Sequence, residues 1–288
     1  MTVLSNKNDI FNRCGLAALS DLQTPECREI FNLLEQEQAA FLEHEGRFRS
    51  SDYKWPRDPL HTWSRVWEYP YVFYHLKSRR KDFEKNLPLV VDLGSGVTFF
   101  PFSVARLGYE VICVDIDPIC EKDLTKAVQC IQHEPGKVDF RLSDGMTLPL
   151  TNGEADIIYC VSVLEHIPTF EQTISEMARV LKPGGLLLLT IDLDLRGDSE
   201  IGVEKYGTLI KILRHYFKEY YPDCTIHPAD ILHSASGLFG FKPLHGITWL
   251  WFVLKQHIIK PVMGRKPAPM FPFHLGLHGF FMRKTEDI

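Results

Sequence analysis

The chain has 288 residues, of which 45% are hydrophobic and 24% are charged, and these values are typical of globular proteins. The composition excludes a disordered, collagenous or coiled-coil chain, and the length suffices for one large domain or for a domain with an extension. The formal net charge is −5, without any run of five like charges, which disfavours nucleic acid as a partner because its phosphates require clustered cations.

The cysteines and the longest apolar run bear on the compartment. The seven cysteines form no C-x-x-C pair and no secretory leader opens the chain, so we expect a reduced environment and a cytoplasmic location. The run at 247–254, within GITWLWFVLK, is far shorter than the roughly 20 residues that cross a bilayer. We predict no transmembrane segment and expect this run to be a buried strand; contact with a membrane surface is the alternative.

The sequence pattern of residues 1–87 predicts a helical extension that could cover a substrate. Thr24-Pro25 is a helix-start signal, and apolar residues then recur at helical spacing as far as Gly46. Aromatic and basic side chains crowd together at 53–76, where we expect three prolines to break any helix: Pro56, Pro59 and Pro70.

The sequence pattern of residues 88–288 predicts one α/β domain, whose cofactor-binding core is expected at 89–191. Apolar runs alternate with helical segments there, as in a doubly wound, mostly parallel seven-stranded sheet whose strands are buried on both faces. The predicted strands are LVVDL (89–93), EVICVD (110–115), KVDFRL (137–142), ADIIYCV (155–161), GLLLLTI (185–191) and a last strand at about 277–284. The predicted helices cover about 100–107, 118–132, 170–181 and 203–220, and a substrate-side insertion covers about 222–275.

The segment VVDLGSG (90–96) carries the first chemical signal. Gly94 and Gly96 follow the first predicted strand, where glycine lets the backbone turn tightly and approach a ligand. The third glycine of a dinucleotide fingerprint would fall at Phe99, which disfavours a pyrophosphate-bearing ligand. Asp115 ends the next strand, where a carboxylate can accept both ribose hydroxyls. A nucleoside without a pyrophosphate fits these features, and Asp92 could then serve the amino-acid end of the ligand.

Five ordered motifs in 89–191 resemble the class I S-adenosylmethionine-dependent methyltransferases: DLGSG, VICVDIDP, LSDGMTLPL, ADIIYCVSVLEHI and RVLKPGGLLLLTI. The resemblance implies the Rossmann-like methyltransferase fold, S-adenosyl-L-methionine as cofactor and S-adenosyl-L-homocysteine as product. It also implies the cofactor contacts, which are Gly94 and Gly96 at the methionine portion, Asp115 at the ribose, Asp144, Gly145 and Met146 at the adenine, and Cys160 and Val161 beside the sulfonium. Ile116 is assigned to the cofactor as well.

We expect the N-terminal extension to form a lid over the cofactor. Extensions of this family often fold over the cofactor, which implies that Arg65 pairs with the methionine carboxylate. The aromatic faces at 53–76 suit a flat ring or the apolar face of a sugar, although they could equally pack the extension onto the sheet.

Candidate acid–base residues follow the predicted fourth and fifth strands. His166 and Asp192 are predicted to be catalytic, together with His233 in HPADILHSASG. Some relatives bind a metal through E-x-x-E-H, but Ser162 stands where the first glutamate would be, so we expect no metal.

The sequence therefore predicts methyl transfer to a small-molecule or glycan acceptor, preferentially at oxygen, by in-line displacement. Two alternatives remain open. One is an N-methyltransferase acting on a small molecule or a protein, and the other is a non-catalytic binding module with the same fold.

Overall fold

The computed structural model describes residues 11–83, 87–196, 201–242, 246–262, 264 and 274–286. These residues form one eight-stranded sheet flanked by helices on both faces. The strands are β1 (Gly15–Leu16), β2 (Leu89–Leu93), β3 (Glu110–Asp115), β4 (Lys137–Leu142), β5 (Ala155–Val161), β6 (Leu181–Asp194), β7 (Phe217–Glu219) and β8 (Leu275–Lys284).

The strand order is β1-β8-β6-β5-β2-β3-β4, with β7 paired to β8. Strands β2 to β6 are parallel, whereas β8 runs antiparallel to β6, β7 and β1. The mostly parallel, doubly wound fold predicted from the sequence is confirmed. Seven strands follow residue 88, and the eighth, β1, comes from the N-terminal extension. Strand β2 lies between β3 and β5, so the direction of winding reverses at its carboxyl end, where α/β sheets bind ligands.

The helices are α1 (Pro25–Glu43), α2 (Glu45–Phe48), α3 (Arg65–Arg79), α4 (Phe100–Arg106), α5 (Pro118–Val128), α6 (Phe170–Val180), α7 (Val203–Tyr216), α8 (Gly246–Leu254) and α9 (Lys260–Val262). Helix α1 begins as the sequence predicts, because the Thr24 side chain accepts the backbone N–H of Cys27 at 3.3 Å. Helix α7 is shorter than predicted, since the chain turns into β7 at Phe217. Strand β6 is longer than the predicted 185–191 and includes Pro183 and Gly184.

The prediction that Pro70 breaks the helix is wrong, because α3 continues through it. Proline in a helix interior removes one backbone hydrogen bond and costs about 3 kcal/mol. Helix α3 offsets this cost by burying large aromatic side chains, including Trp67, Tyr71 and Phe73. Pro56 and Pro59 lie in the irregular segment before the helix, as expected.

Two apolar cores cover the two faces of the sheet. Side chains of α1, α3, α4 and α5 pack on one face, and those of α6 and α7 pack on the other. Because side chains alternate along a strand, neighbouring residues of β5 contribute to different cores: Tyr159 and Val161 to the first, Cys160 to the second. The N-terminal extension thus shares a core with the face of the sheet that carries Tyr159 and Val161.

The prediction of a buried strand at 247–254 is also wrong. These residues form helix α8, and five of its apolar side chains are exposed to solvent, whereas Phe252 and Val253 are half-buried. A short apolar run has no periodicity that distinguishes a strand from a helix. Among the described segments, no helix combines the length and the apolar character needed to cross a membrane.

Candidate functional site

A cavity of about 780 Å³ opens at the carboxyl ends of the parallel strands. The ends of β2 and β3 and their loops form one wall, and the N-terminal extension forms the opposite wall. The first wall includes Asp92, Gly94, Gly96, Asp115 and Ile116, and the second includes Tyr53, Trp55, Trp63, Arg65 and Tyr69. The carboxyl ends of the strands and the N-terminal extension therefore enclose the same space. From the sequence, this proximity was expected only through the resemblance to methyltransferases.

The glycine loop after β2 requires its two glycines for backbone geometry. Gly94 has a φ of +75° and Gly96 a φ of +54°, in the left-handed region that favours glycine. A Cβ atom on Gly94 would lie 2.5 Å from Cγ2 of Val163, which is closer than packed atoms approach. The backbone N–H of Gly96 donates to Oδ2 of Asp115 at 2.9 Å. This bond fixes the loop after β2 to the end of β3.

Asp115 keeps hydrogen-bonding capacity that faces the cavity. Its Oδ1 accepts the N–H of Asp117 at 3.0 Å, so each oxygen already accepts one backbone donor. A carboxylate offers about four acceptor positions, and two remain for ligand hydroxyls. Ile116, next in the chain, has a side chain that is 67% exposed and forms an apolar part of the lining.

Asp92 is a buried carboxyl group in the cavity wall. It lies beside Tyr159 of β5 in the sheet register. Burial raises the pKa of Asp92 to about 7, because desolvation disfavours its charged form. A cationic group bound next to Asp92 would favour the ionised form again. The residue thus fits a ligand that carries an ammonium group.

The loop after β4 contributes Gly145 and Met146 to the lining, but the position of Asp144 differs from the expected one. The Asp144 carboxylate accepts the N–H groups of Met146 and Thr147, both at 2.8 Å, and the residue is exposed. The hydrogen bonds from Thr147 and Met146 hold the pKa of Asp144 below its usual value. Asp144 shapes the loop in this structure, since its side chain is engaged within the turn and is absent from the described cavity lining.

Strand β5 contributes Tyr159 and Val161 to the cavity, whereas Cys160 is not among the described lining residues. The Cys160 side chain is fully buried in the core on the opposite face of the sheet. Adjacent residues of a strand point to opposite faces, so Cys160 and Val161 cannot both face the same ligand with their side chains. Tyr159 is one of the cavity residues that the sequence did not reveal, although the alternation of side chains along β5 indicated it.

A buried polar network joins the extension to the strand ends. Glu68 of α3 is fully buried and accepts the hydroxyls of Ser162 and Thr190, both at 2.5 Å. It also forms an ion pair with Arg65, which donates to the carbonyl of Val161 at 3.4 Å. Ser162 has a φ of +46°, an unusual value for a residue other than glycine. The network holds the first turn of α3 against the ends of β5 and β6.

Tyr53 forms a second connection between the extension and the glycine loop. Its hydroxyl accepts the N–H of Val97 at 3.1 Å, and the Arg49 guanidinium lies 4.2 Å from the centre of its ring. Arg49 also donates two hydrogen bonds, both of 3.1 Å, to the carbonyl of Val97. The sequence placed Tyr53 among the aromatics of a possible lid, but it gave no sign of this contact.

Two of the three predicted acid–base residues line the cavity, His166 and Asp192. Glu165 accepts the N–H of Asp192 at 3.0 Å, and burial raises the pKa of Glu165 to about 7. His233 is not among the residues described as lining the cavity. Its N–H donates to Oγ of Ser236 at 2.8 Å, and it bridges to Gly276 of β8. The loop that carries His233 folds against β8, so this structure does not bring the three predicted acid–base residues together.

Residues 91–189 match the family profile described as "Methyltransferase domain". The matched region contains the glycine loop, Asp115 and strand β5. Residues 91–189 are thus similar to methyltransferase domains.

Curated relatives and a solved structure are also similar to this chain. An uncharacterized methyltransferase of Mycobacterium bovis is 31% identical over 162 residues, which are 56% of this chain and 59% of the relative. Another, of Mycobacterium leprae, is 35% identical over 163 residues, 56% of each chain. The chain thus spans somewhat more than half of their lengths. The crystal structure of the [4+2]-cyclase SpnF has the same fold, with a TM-score of 0.52 and 17% identity over 95% of this chain and 99% of that one.

Methyltransferase domains of this family imply S-adenosyl-L-methionine as cofactor, and the residues of the cavity fit it. Asp115 retains acceptor positions for ribose hydroxyls, Asp92 suits an ammonium group, and Arg65 offers a cation for a carboxylate. The left-handed Gly94 and Gly96 keep the loop close to the strand ends without side chains in the way.

Proposed function

We propose that this protein transfers a methyl group from S-adenosyl-L-methionine to an oxygen atom of a small-molecule or glycan acceptor. One observation carries the proposal. A single cavity is lined both by the cofactor-type residues at the ends of β2 and β3 and by two acid–base side chains, His166 and Asp192. Donor and acceptor could therefore meet in one space, as an in-line displacement requires.

The cofactor half of the cavity binds by charge and hydrogen bonding. Asp115 accepts the ribose hydroxyls, Gly145 and Met146 line the adenine end, and Asp92 faces the ammonium group. Arg65 pairs with the carboxylate, and Glu68 holds the Arg65 side chain in position. When bound, the cofactor supplies a methyl group on a positively charged sulfur.

The acceptor half is bounded by aromatic side chains. Trp55 and Phe241, at the rim, are 58% and 50% exposed, whereas Trp63 is buried in the wall. Flat apolar rings and the apolar face of a sugar pack well against such side chains. These walls also exclude water from the reacting groups, which favours transfer over hydrolysis.

Oxygen is the preferred acceptor atom because a hydroxyl needs a base. His166 and Asp192 can accept the hydroxyl proton as the oxygen–carbon bond forms, and the proton then leaves to solvent. Glu165, which accepts the N–H of Asp192, orients the backbone that carries this candidate base. An amine acceptor would need less assistance from either group.

A methyl-transfer assay tests the proposal. The purified chain is incubated with isotopically labelled cofactor and panels of phenolic, sugar and amine acceptors, and the products are identified by mass spectrometry. We expect an O-methylated product, and Asp192→Asn or His166→Asn should lower kcat by about 10²- to 10⁴-fold while cofactor binding stays unchanged. Asp139→Asn, at an exposed site on β4, is the matched control. Cofactor binding without turnover on any panel would support the binding module instead.

A further inference from the structure

Helix α8 and its continuation expose an unusually apolar surface. Three consecutive helical stretches of 9, 5 and 3 residues cover 246–262, about 25 Å at 1.5 Å per residue. The exposed fractions are 77% for Ile247, 39% for Trp249, 62% for Leu250, 61% for Trp251 and 41% for Leu254. Exposed apolar side chains continue beyond α8 at Ile258, Ile259 and Val262.

The apolar side chains of α8 do not form a single stripe. Trp249, Leu250 and Trp251 are consecutive and project about 100° apart around the helix, so more than half of its circumference is apolar. An amphipathic helix that fits a protein groove has one apolar face and one polar face. A helix with apolar side chains around more than half of its circumference fits an extended apolar medium, such as the acyl-chain boundary of a lipid bilayer, better than a groove that accepts one face.

The charge of the surrounding sequence favours an anionic lipid surface. The segment 231–285 contains no Asp or Glu and seven Lys or Arg residues, in a chain whose net charge is −5. Two of these cations, Lys255 and Lys260, lie on the helical segment itself, beside the exposed apolar residues. Lysine beside tryptophan and leucine is typical of helices that lie in the membrane interface, where the cations contact lipid phosphates.

We propose that the helical segment 246–262 docks this protein on an anionic lipid bilayer. Trp249, Leu250 and Trp251 enter the interface between headgroups and acyl chains, and Lys255 and Lys260 contact the headgroup phosphates. This docking surface is separate from the methyl-transfer chemistry, so it does not depend on the function proposed above.

Vesicle flotation of the full chain tests the docking. Vesicles of phosphatidylcholine with about 30% phosphatidylglycerol are compared with vesicles of phosphatidylcholine alone. We expect the protein to float with the anionic vesicles, to bind the neutral ones at least about tenfold more weakly, and to dissociate at high salt. Tryptophan fluorescence should shift to the blue and be quenched by brominated acyl chains, because Trp249 and Trp251 leave water.

Paired variants separate the apolar and the charged contributions. Leu250→Glu/Trp251→Glu should abolish binding to both kinds of vesicle. Lys255→Gln/Lys260→Gln should weaken binding to anionic vesicles by about fivefold for each lysine and leave binding to neutral vesicles unchanged. Val203→Glu is the matched control, since Val203 on α7 is 85% exposed. All of the substituted side chains except the half-buried Lys260 are exposed, so the melting temperature should remain that of the parent protein, which verifies that each variant folds.

Three results would overturn the docking. The parent protein could remain in the lipid-free fraction, or Leu250→Glu/Trp251→Glu could float as the parent does. The third is a concentration-dependent dimer that binds no vesicles and is dissociated by the same double substitution, which would identify a second copy of the chain as the occupant of this surface.

Discussion

The proposed cofactor binding depends most on the carboxylate of Asp115. It accepts the Gly96 N–H and still has acceptor positions open to the cavity. Asp115→Ala should therefore weaken cofactor binding by at least about 30-fold, because it removes two ligand hydrogen bonds and loosens the glycine loop. Isothermal titration of the variant measures the loss. Asp139→Ala, on the exposed face of β4, should bind as the parent does, and equal affinity of both variants would remove the ribose assignment.

The buried carboxyl group of Asp92 should make stability depend on pH. Its pKa is raised from 3.8 to about 7, so its favourable contribution is complete below about pH 4 and is lost as the pH rises through 7. A shift of this size corresponds to on the order of 4 kcal/mol. Urea unfolding at pH 5 and pH 8 measures the effect in the cofactor-free protein. Asp92→Asn should lose less stability than the parent between these two pH values, and an identical loss would contradict the assignment.

At the residue scale, the sequence predicted the parts of the site that depend on backbone geometry and strand ends. Gly94, Gly96, Asp115 and Val161 line the cavity because a parallel strand delivers its last residues to one edge of the sheet. Cys160 was assigned without regard to the alternation of side chains along β5. Glu68 could not be found, since its partners, Ser162 and Thr190, are about a hundred residues away in the chain.

Helix α3 connects the extension to the ends of β5 and β6 through the Glu68 network. Glu68→Gln should lower the free energy of unfolding by about 3 kcal/mol, because it leaves Arg65 beside two hydroxyls without a compensating carboxylate. Urea denaturation provides this value, and hydrogen exchange should show that the amides of α3 become less protected. Arg65 would then be less well positioned, so cofactor affinity should fall as well.

A matched substitution distinguishes this network from a general effect of lost charge. Glu29→Gln removes a carboxylate from the exposed side of α1 and should change the free energy of unfolding by less than about 0.5 kcal/mol. If Glu68→Gln proved equally neutral, the buried network would not be what holds α3 against the strand ends.

Elements α3 and α8 show where sequence patterns fail. Local chemistry disfavours a helix at Pro70, yet the burial of neighbouring aromatic side chains outweighs the lost hydrogen bond. The apolar run in α8 has strand-like composition, yet it forms a helix that pairs with none of the strands in the described part of the chain. The strands of the central sheet were predicted within a residue or two at most ends, because strands buried on both faces leave a clear continuous apolar signal.

At the scale of the whole molecule, the fold followed from the sequence more fully than the site did. The alternation of apolar runs and helices determines the order of the core elements, whereas the contribution of β1 to the far edge of the sheet depends on long-range pairing with β8. The cavity likewise combines distant parts of the chain, since Tyr53 and Phe241 lie nearly two hundred residues apart and line the same space. Contacts of this kind have no local pattern.

Cofactor binding is tested most directly by a calorimetric titration of the full chain with S-adenosyl-L-methionine. The titration is done at pH 8, above the pKa of about 7 of Asp92. We expect a single saturable site with a dissociation constant in the micromolar range, and an affinity at least about 30-fold lower in Asp115→Ala. No heat of binding, or an unchanged affinity in Asp115→Ala, would contradict it.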